Sequence, residues 1–196
     1  LIMSLLTEIL HYADIKYYFH DFWEIEGDPR IGNRLFFRGG PWTVWSIIAF
    51  YVYFVKKLGP QLMKNRNALS LRKIMLIYNI VMIVVNSYFF YQIVFNFKFG
   101  LDMDILSFNR PDKNDVSPKN MQIIQLAHWF FISKLVDLIE TVFFVVRKKH
   151  NQISNLHVYH HAAVPILVHL AVKVAPVGGP ATLFPLLNTL VHISKY

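Results

Sequence analysis

IMLIYNIVMIVVNSYFFYQIVFNF, residues 74–97, runs for 24 residues without one charged side chain. A bilayer core about 30 Å thick is crossed by about 20 apolar residues in a helix, so the stretch predicts a transmembrane helix. The flanking sequence repeats the pattern. Residues 41–55 carry no Asp, Glu, Lys or Arg, and neither do 120–133, 150–172 or 174–194. Past 133 the apolar run continues to Val146 around Lys134, Asp137 and Glu140. Five helices are predicted, at roughly 41–57, 72–96, 121–147, 153–173 and 180–196. The expected fold class is an all-α polytopic membrane protein.

Composition agrees. The 196 residues are 55% hydrophobic and 16% aromatic, and only 16% are charged, against about 25% in soluble domains. Seventeen Phe, 10 Tyr and 4 Trp exclude a disordered chain. Zero Cys excludes a disulfide scaffold, a Cys-ligated metal or iron–sulfur site and a catalytic thiol. The net charge of +8 does not point to nucleic acid, because the basic residues sit between long uncharged runs, as in a membrane protein. The chain starts at Leu1 and stops at Tyr196 inside an apolar run, so it is expected to be one membrane domain over 1–196, incomplete at its C-terminus. Residues 1–30 are mixed and acidic and show no signal-peptide pattern, and no Asn-x-Ser/Thr acceptor occurs in the 196 residues.

Charge in the connecting segments sets orientation. Residues 1–40 hold four basic and six acidic residues, and 98–119 hold four of each. The segment 56–73 holds Lys56, Lys57, Lys64, Arg66, Arg72 and Lys73 with no acid, and Arg147, Lys148 and Lys149 form a second purely basic corner. The positive-inside rule puts these two in the cytosol and residues 1–40 on the luminal side.

Two clusters break the apolar pattern. Lys134-Leu-Val-Asp137-Leu-Ile-Glu140-Thr141 lies in the third predicted helix. At 100° per residue, Lys134, Asp137 and Thr141 fall within about 60° of one another, with Glu140 turned farther round. Ionisable groups at such depth face a protein interior or cavity. They either pin two helices as a Lys–Asp pair or form a functional site, and four polar groups in eight residues exceed what pinning needs. The second cluster is His157-Val-Tyr-His160-His161, whose three imidazoles are expected on one helical face. Imidazoles bind iron or zinc, or serve as base, acid or nucleophile. The remaining histidines, His11, His20, His128, His150, His169 and His192, form no second HxxH or HxxxH pairing, which weighs against a di-iron site.

Depth brings the clusters together. At 1.5 Å per residue, Asp137 and Glu140 lie about 15 and 10 Å from Arg147, and His160 and His192 each lie about 12 Å from the cytosolic face. Three helices therefore reach one layer, a buried site opening toward the cytosol.

The ordered motifs resemble the fatty-acid elongase (ELO) family, whose pattern runs KxxExxDT, RKK, QxxFLHxYHH and NxxxHxxMYxYY. Here these are Lys134 to Thr141, Arg147-Lys148-Lys149, Gln152 to His161 with Tyr159, and Asn188-x-x-x-His192. Asp137 stands where the family has Glu, Glu140 where it has Asp, Asn155 where it has Phe, and Lys195 where it has Met. The resemblance implies about seven helices in a complete chain around a buried acyl tunnel, in the endoplasmic reticulum membrane. It implies a 3-oxoacyl-CoA synthase that condenses a long-chain acyl-CoA with malonyl-CoA, releasing CO2 and CoA, without metal or other cofactor.

By that resemblance His160 is the acyl-carrying candidate and His192 faces it. His157 and His161 orient groups or exchange protons, Asp137 and Glu140 fix tautomers, and Lys134 balances their charge. Thr141, Gln152, Tyr159 and Asn188 are expected to contact substrate, with Arg147, Lys148 and Lys149 attracting the CoA phosphates. Implied partners are the two CoA substrates, the lipid bilayer, the other enzymes of the elongation cycle and further copies of the chain, with no nucleic acid. Rival readings are a membrane di-iron desaturase or hydroxylase, and a non-enzymatic transporter or scaffold.

Overall fold

A computed structural model describes residues 15, 17–103, 112–177 and 182–195. Among them the ordered elements are helices: α1 (Phe22–Ile25), α2 (Pro29–Gly32), α3 (Trp42–Tyr53), α4 (Gly59–Met63), α5 (Arg72–Tyr91), α6 (Pro118–Val146), α7 (Asn155–Val174) and α8 (Leu183–Lys195). A π-helical turn, Phe54–Leu58, joins α3 directly to α4, and another, Gln92–Asn96, extends α5.

The first long helix therefore does not end at 57 but continues to Met63, so half of the segment expected as a loop over 56–73 is helical. The reason is Pro60. Its missing N–H and bulky ring would break an α-helix one turn earlier, and the wider π turn at Phe54–Leu58 takes up the misfit without ending the helix. Elsewhere the differences are small. The span expected over 121–147 is α6, 153–173 is α7, and 72–96 is α5 with its π turn. Of the span expected over 180–196, Leu183–Lys195 is helical, while 180, 181 and 196 lie outside the described residues. Residues 1–14 of the segment expected to be luminal also lie outside them.

Among the described residues one helix, Arg72–Asn96, is long and apolar enough to cross a membrane on its own composition. Its outer face is apolar and open: Ile77 is 62% exposed and Val84 63%, with Ile74, Leu76, Ile80 and Val81 beside them. In water such a contiguous patch would be costly, at about 25 cal/mol per Å². Against lipid it costs nothing, so this face reads as the bilayer surface.

Helix α6 is the centre of the bundle. It packs along α7 and also touches α2, α4 and α5; α8 lies along α5, and α3 lies along α7. Ser117 accepts from the Asn120 backbone at the start of α6, and Ser154 accepts from the His157 backbone at 3.1 Å at the start of α7. The interior is filled by Phe131, Ile123, Ile124, Val145, Val44 and Ile48.

The two ends of the bundle differ in charge. At one end Lys56 Nζ donates to Asn155 Oδ1 at 2.6 Å, and the Leu69 N–H donates to the Val146 carbonyl at 3.1 Å. The wholly basic segments thus meet there. At the other end the N-terminal segment folds over α6 and α7. The Asp28 N–H donates to the Lys173 carbonyl at 2.8 Å, and Arg30 donates to the Asp115 carbonyl and to both oxygens of Asp28. The Asp28 carboxylate raises the Arg30 pKa, and hydrogen bonds from Ser117 hold Asp115 below the usual carboxylate range. Phe36 takes φ = 70°, turning its carbonyl onto His169 Nε2–H at 2.9 Å, and Phe37 stacks on the same ring at 4.8 Å.

Candidate active site

Lys134, Asp137, Glu140 and Thr141 are all buried, on two adjoining faces of α6. The first pair points to α8. Lys134 Nζ lies 2.7 Å from Asp137 Oδ2 and donates to Asn188 Oδ1 at 2.8 Å, while His192 Nε2 stands 3.8 Å from the same Asp137 oxygen. The second pair points to α7 and α3. Thr141 Oγ1 is 2.8 Å from His157 Nε2 and accepts from the Tyr51 hydroxyl at 2.9 Å. Glu140 Oε2 is 3.7 Å from His161 Nε2 and accepts from Lys195 Nζ at 2.5 Å. Two polar clusters on α6 thus tie four helices together inside an apolar bundle, and unpaired charge at that depth is expensive.

The histidines divide. His157 and His161, one turn apart on α7, lie side by side towards α6 with ring centroids 4.3 Å apart and planes tilted by 45°. His161 and His192 are buried and His157 is half-buried, whereas His160 is exposed, with its ring edge-on to His161 at 5.7 Å. The expectation of three imidazoles turned to one interior is thus corrected. The inward stripe of α7 is the i, i+4 pair, and His160 flanks it at the rim. Pro165 has no N–H to offer the His161 carbonyl four residues earlier, so the α7 ladder is broken at the site itself.

Of the other predicted residues, Asn188 is inside the Lys134–Asp137 cluster. Gln152 and Tyr159 are exposed, and Arg147, Lys148 and Lys149 follow the end of α6, away from the buried cluster. Tyr51 escaped the sequence reading because nothing in an apolar run shows which of its tyrosines meets α6. Lys195 was visible only as a departure from the family pattern, and its bond to Glu140 gives that departure a structural role.

The model of the ELO family (GNS1/SUR4 family) matches residues 36–196, which take in α3 to α8 and both clusters. The chain belongs to the ELO family. A very long chain fatty acid elongase of Aedes aegypti is 37% identical over 197 residues, covering 100% of this chain and 51% of its own length. Very long chain fatty acid elongase 7 of Rattus norvegicus is 36% identical over 181 residues, 91% of this chain and 62% of its own length. Very long chain fatty acid elongase 1 of Homo sapiens is 31% identical over 195 residues, 100% of this chain and 63% of its own length. This ELO chain spans between half and two thirds of the length of these curated relatives.

Glu140, His157 and His161 offer ligand atoms within 4.8 Å of one another, a spacing on which one metal ion fits. Their present bonds compete with that use. Lys195 already places an ammonium on Glu140 Oε2, and His157 Nε2 is engaged by Thr141.

Proposed function

We propose that this chain carries the active site of a very-long-chain 3-oxoacyl-CoA synthase of the endoplasmic reticulum membrane. In this reading it joins a long-chain acyl-CoA to malonyl-CoA in the first step of fatty-acid elongation. The observation that carries the reading is the pair of buried polar clusters on α6, Lys134, Asp137, Asn188 and His192 in one and Glu140, His157 and His161 in the other, with His160 accessible beside the second, in a chain of the ELO family that has no cysteine.

The chemistry follows from what such a rim imidazole can do. A His160 ring nitrogen attacks the thioester carbonyl of acyl-CoA, the C–S bond breaks, and CoA leaves with the sulfur electron pair. The proton lost from the acylated ring passes into the neighbouring His161–Glu140 pair. Malonyl-CoA then loses CO2, and the electron pair of the broken C–C bond becomes its enolate. That carbon attacks the acyl-imidazole, the C–N bond breaks with its electron pair on the ring, the His161–Glu140 pair returns the proton to His160, and 3-oxoacyl-CoA departs two carbons longer. The Lys134–Asp137 pair adds no net charge, so it orients Asn188 and His192 without charging the tunnel wall.

The substrate path fits the same arrangement. An apolar cavity of about 240 Å³, lined by Phe89, Ala127, Phe130, Leu167, Ala171 and Phe184, lies on the side of the cluster away from the basic end. It suits the acyl tail, while the basic end suits the CoA phosphates in the cytosol. The proposed topology is five spanning helices in a single domain over 1–196, with residues 1–40 luminal and these helices lining the acyl tunnel. No metal or other cofactor enters the reaction. The elongation-cycle reductases and dehydratase, and further copies of this chain, are the proposed protein partners.

Incubating membranes that carry the protein with labelled malonyl-CoA and a ladder of acyl-CoAs tests the reading, and labelled 3-oxoacyl-CoA is the expected product. Acyl-CoA alone should release free CoA in a single burst, and His160→Ala should abolish both burst and product while leaving membrane insertion intact. Product without a burst would replace the acyl-imidazole by direct attack on the bound thioester. Loss of product on chelation would move the chemistry to the Glu140, His157 and His161 donor set.

A further inference from the structure

The hydroxyl groups of Tyr51 and Thr141 form a two-step relay onto a histidine of the site. Tyr51 is 5% exposed and Thr141 is fully buried, at 0%. The tyrosine oxygen is 2.9 Å from Thr141 Oγ1, which is 2.8 Å from His157 Nε2. Among the described residues these are the hydrogen bonds that Tyr51 and the Thr141 side chain make, so their protons can be accounted for.

Two directions remain along the relay, because two donors converging on Thr141 Oγ1 would leave the buried threonine proton without an acceptor. In one, His157 Nε2–H donates to Thr141 and Thr141 donates to the Tyr51 oxygen, leaving the phenolic proton buried without an acceptor. In the other, Tyr51 donates to Thr141, Thr141 donates to His157 Nε2, and every buried proton has an acceptor. Unsatisfied buried donors are costly and rare, so the second direction wins. A neutral imidazole that accepts at Nε2 carries its proton on Nδ1.

We propose that Tyr51 is a positioning residue for the condensation, holding His157 through Thr141 in the Nδ1–H tautomer and in one ring orientation. This rests on the elongase reading in so far as His157 belongs to the reacting site. The consequence is mechanistic. With Nε2 committed to Thr141, His157 exchanges protons through Nδ1 alone, beside the His161 ring, whose centroid is 4.3 Å away. The residue responsible lies on α3, far in sequence from the histidine cluster it orders.

Side-chain ¹⁵N and ¹³C NMR of histidine-labelled protein reads the tautomer, and kinetics read its use. The wild type should show His157 protonated on Nδ1. Tyr51→Phe keeps the ring and its packing, so its thermal midpoint should stay close to wild type. Its His157 signals should move to a mixture of tautomers, and kcat should fall roughly 10-fold or more, by analogy with the loss of the groups that orient metal-bound histidines. The KM for acyl-CoA should stay within about twofold. Thr141→Val should reproduce both effects, Thr141→Ser should restore them, and Tyr51→Phe should add no further loss in the Thr141→Val background.

An Nε2–H signal for His157 in the wild type would overturn the proposal. So would a Tyr51→Phe variant with unchanged tautomer and unchanged kcat, or strictly additive losses with Thr141→Val. If the wild type shows the Nδ1–H tautomer but makes no 3-oxoacyl-CoA, the elongase reading falls while the relay stands.

Discussion

Replacing Asp137 by Asn strands Lys134. The ammonium is 1% exposed, 2.7 Å from Asp137 Oδ2 and 2.8 Å from Asn188 Oδ1, with the Phe130 ring centroid at 5.0 Å. Removing one member of a buried pair costs about 3–5 kcal/mol, because the other charge stays behind. There is a ceiling, since discharging an ordinary lysine at pH 7 costs about 4.6 kcal/mol and the side chain can always escape that way. The Asn188 carbonyl and the amide oxygen introduced at 137 soften the loss, which puts the expected destabilisation at about 3 kcal/mol. Lys134→Met should cost a similar amount by stranding Asp137 beside His192.

Taking out both charges, with Lys134→Met and Asp137→Leu, should cost much less than the two single changes together. The remaining penalty is the unpartnered Asn188 carbonyl and the polar edge of His192, about 1–3 kcal/mol. Unfolding in mixed micelles titrated with SDS measures all three variants. The double variant should recover at least about 2 kcal/mol relative to additivity. Additivity within about 0.5 kcal/mol, the margin for independent sites, would refute the pairing as an energetic unit.

Three more outcomes are expected. Cysteines placed at Asn67 and Asn114, both exposed and at opposite ends of the bundle, should label from opposite sides of the membrane; same-side labelling would undo the proposed topology. Glu140→Asp shortens the reach to Lys195; the lysine side chain is 38% exposed but the carboxylate only 7%, so the lost pair should cost more than a surface pair, about 1–3 kcal/mol. In a Lys195→Met background the same change should cost nothing measurable by unfolding, and with Asp137→Glu added, condensation activity should be retained. Phe131→Ala should destabilise by about 3–5 kcal/mol in the same unfolding assay, because the ring is fully buried against Phe37 and His169.

Which parts of this fold can be read in the sequence depends on what bounds each element. Arg72 and Lys73 precede an uncharged run that ends at Phe97, and the observed helix with its π turn, Arg72–Asn96, fills it. The helix before it looks closed at 57 because Lys56, Lys57, Gly59 and Pro60 all read as a boundary. A π turn lets the helix run through them, and no composition signal announces a change of hydrogen-bond register. The N-terminal segment was invisible for a different reason. Ile31 and Phe37 are fully buried, at 0% exposed, but they sit in one-turn helices and bends where no periodicity can be measured.

The site divides along the same line. Spacing within one helix is legible: Lys134 and Asp137, three residues apart, must meet on the same face, and they do at 2.7 Å. Spacing alone leaves the absolute rotation of a helix open, and His160 illustrates this. Its angle to His157 and His161 follows from 100° per residue, but which edge of that arc turns inward is decided by where α6 lies against α7. The packing chose His157 and His161, at i and i+4, and left His160 at the rim. An acyl acceptor has to be reached by a bulky thioester, whereas groups that orient it gain from being enclosed and bonded to their neighbours. The rotation that burial imposes on α7 thus sorts three chemically identical rings into one accessible and two enclosed, a distinction that no motif string contains.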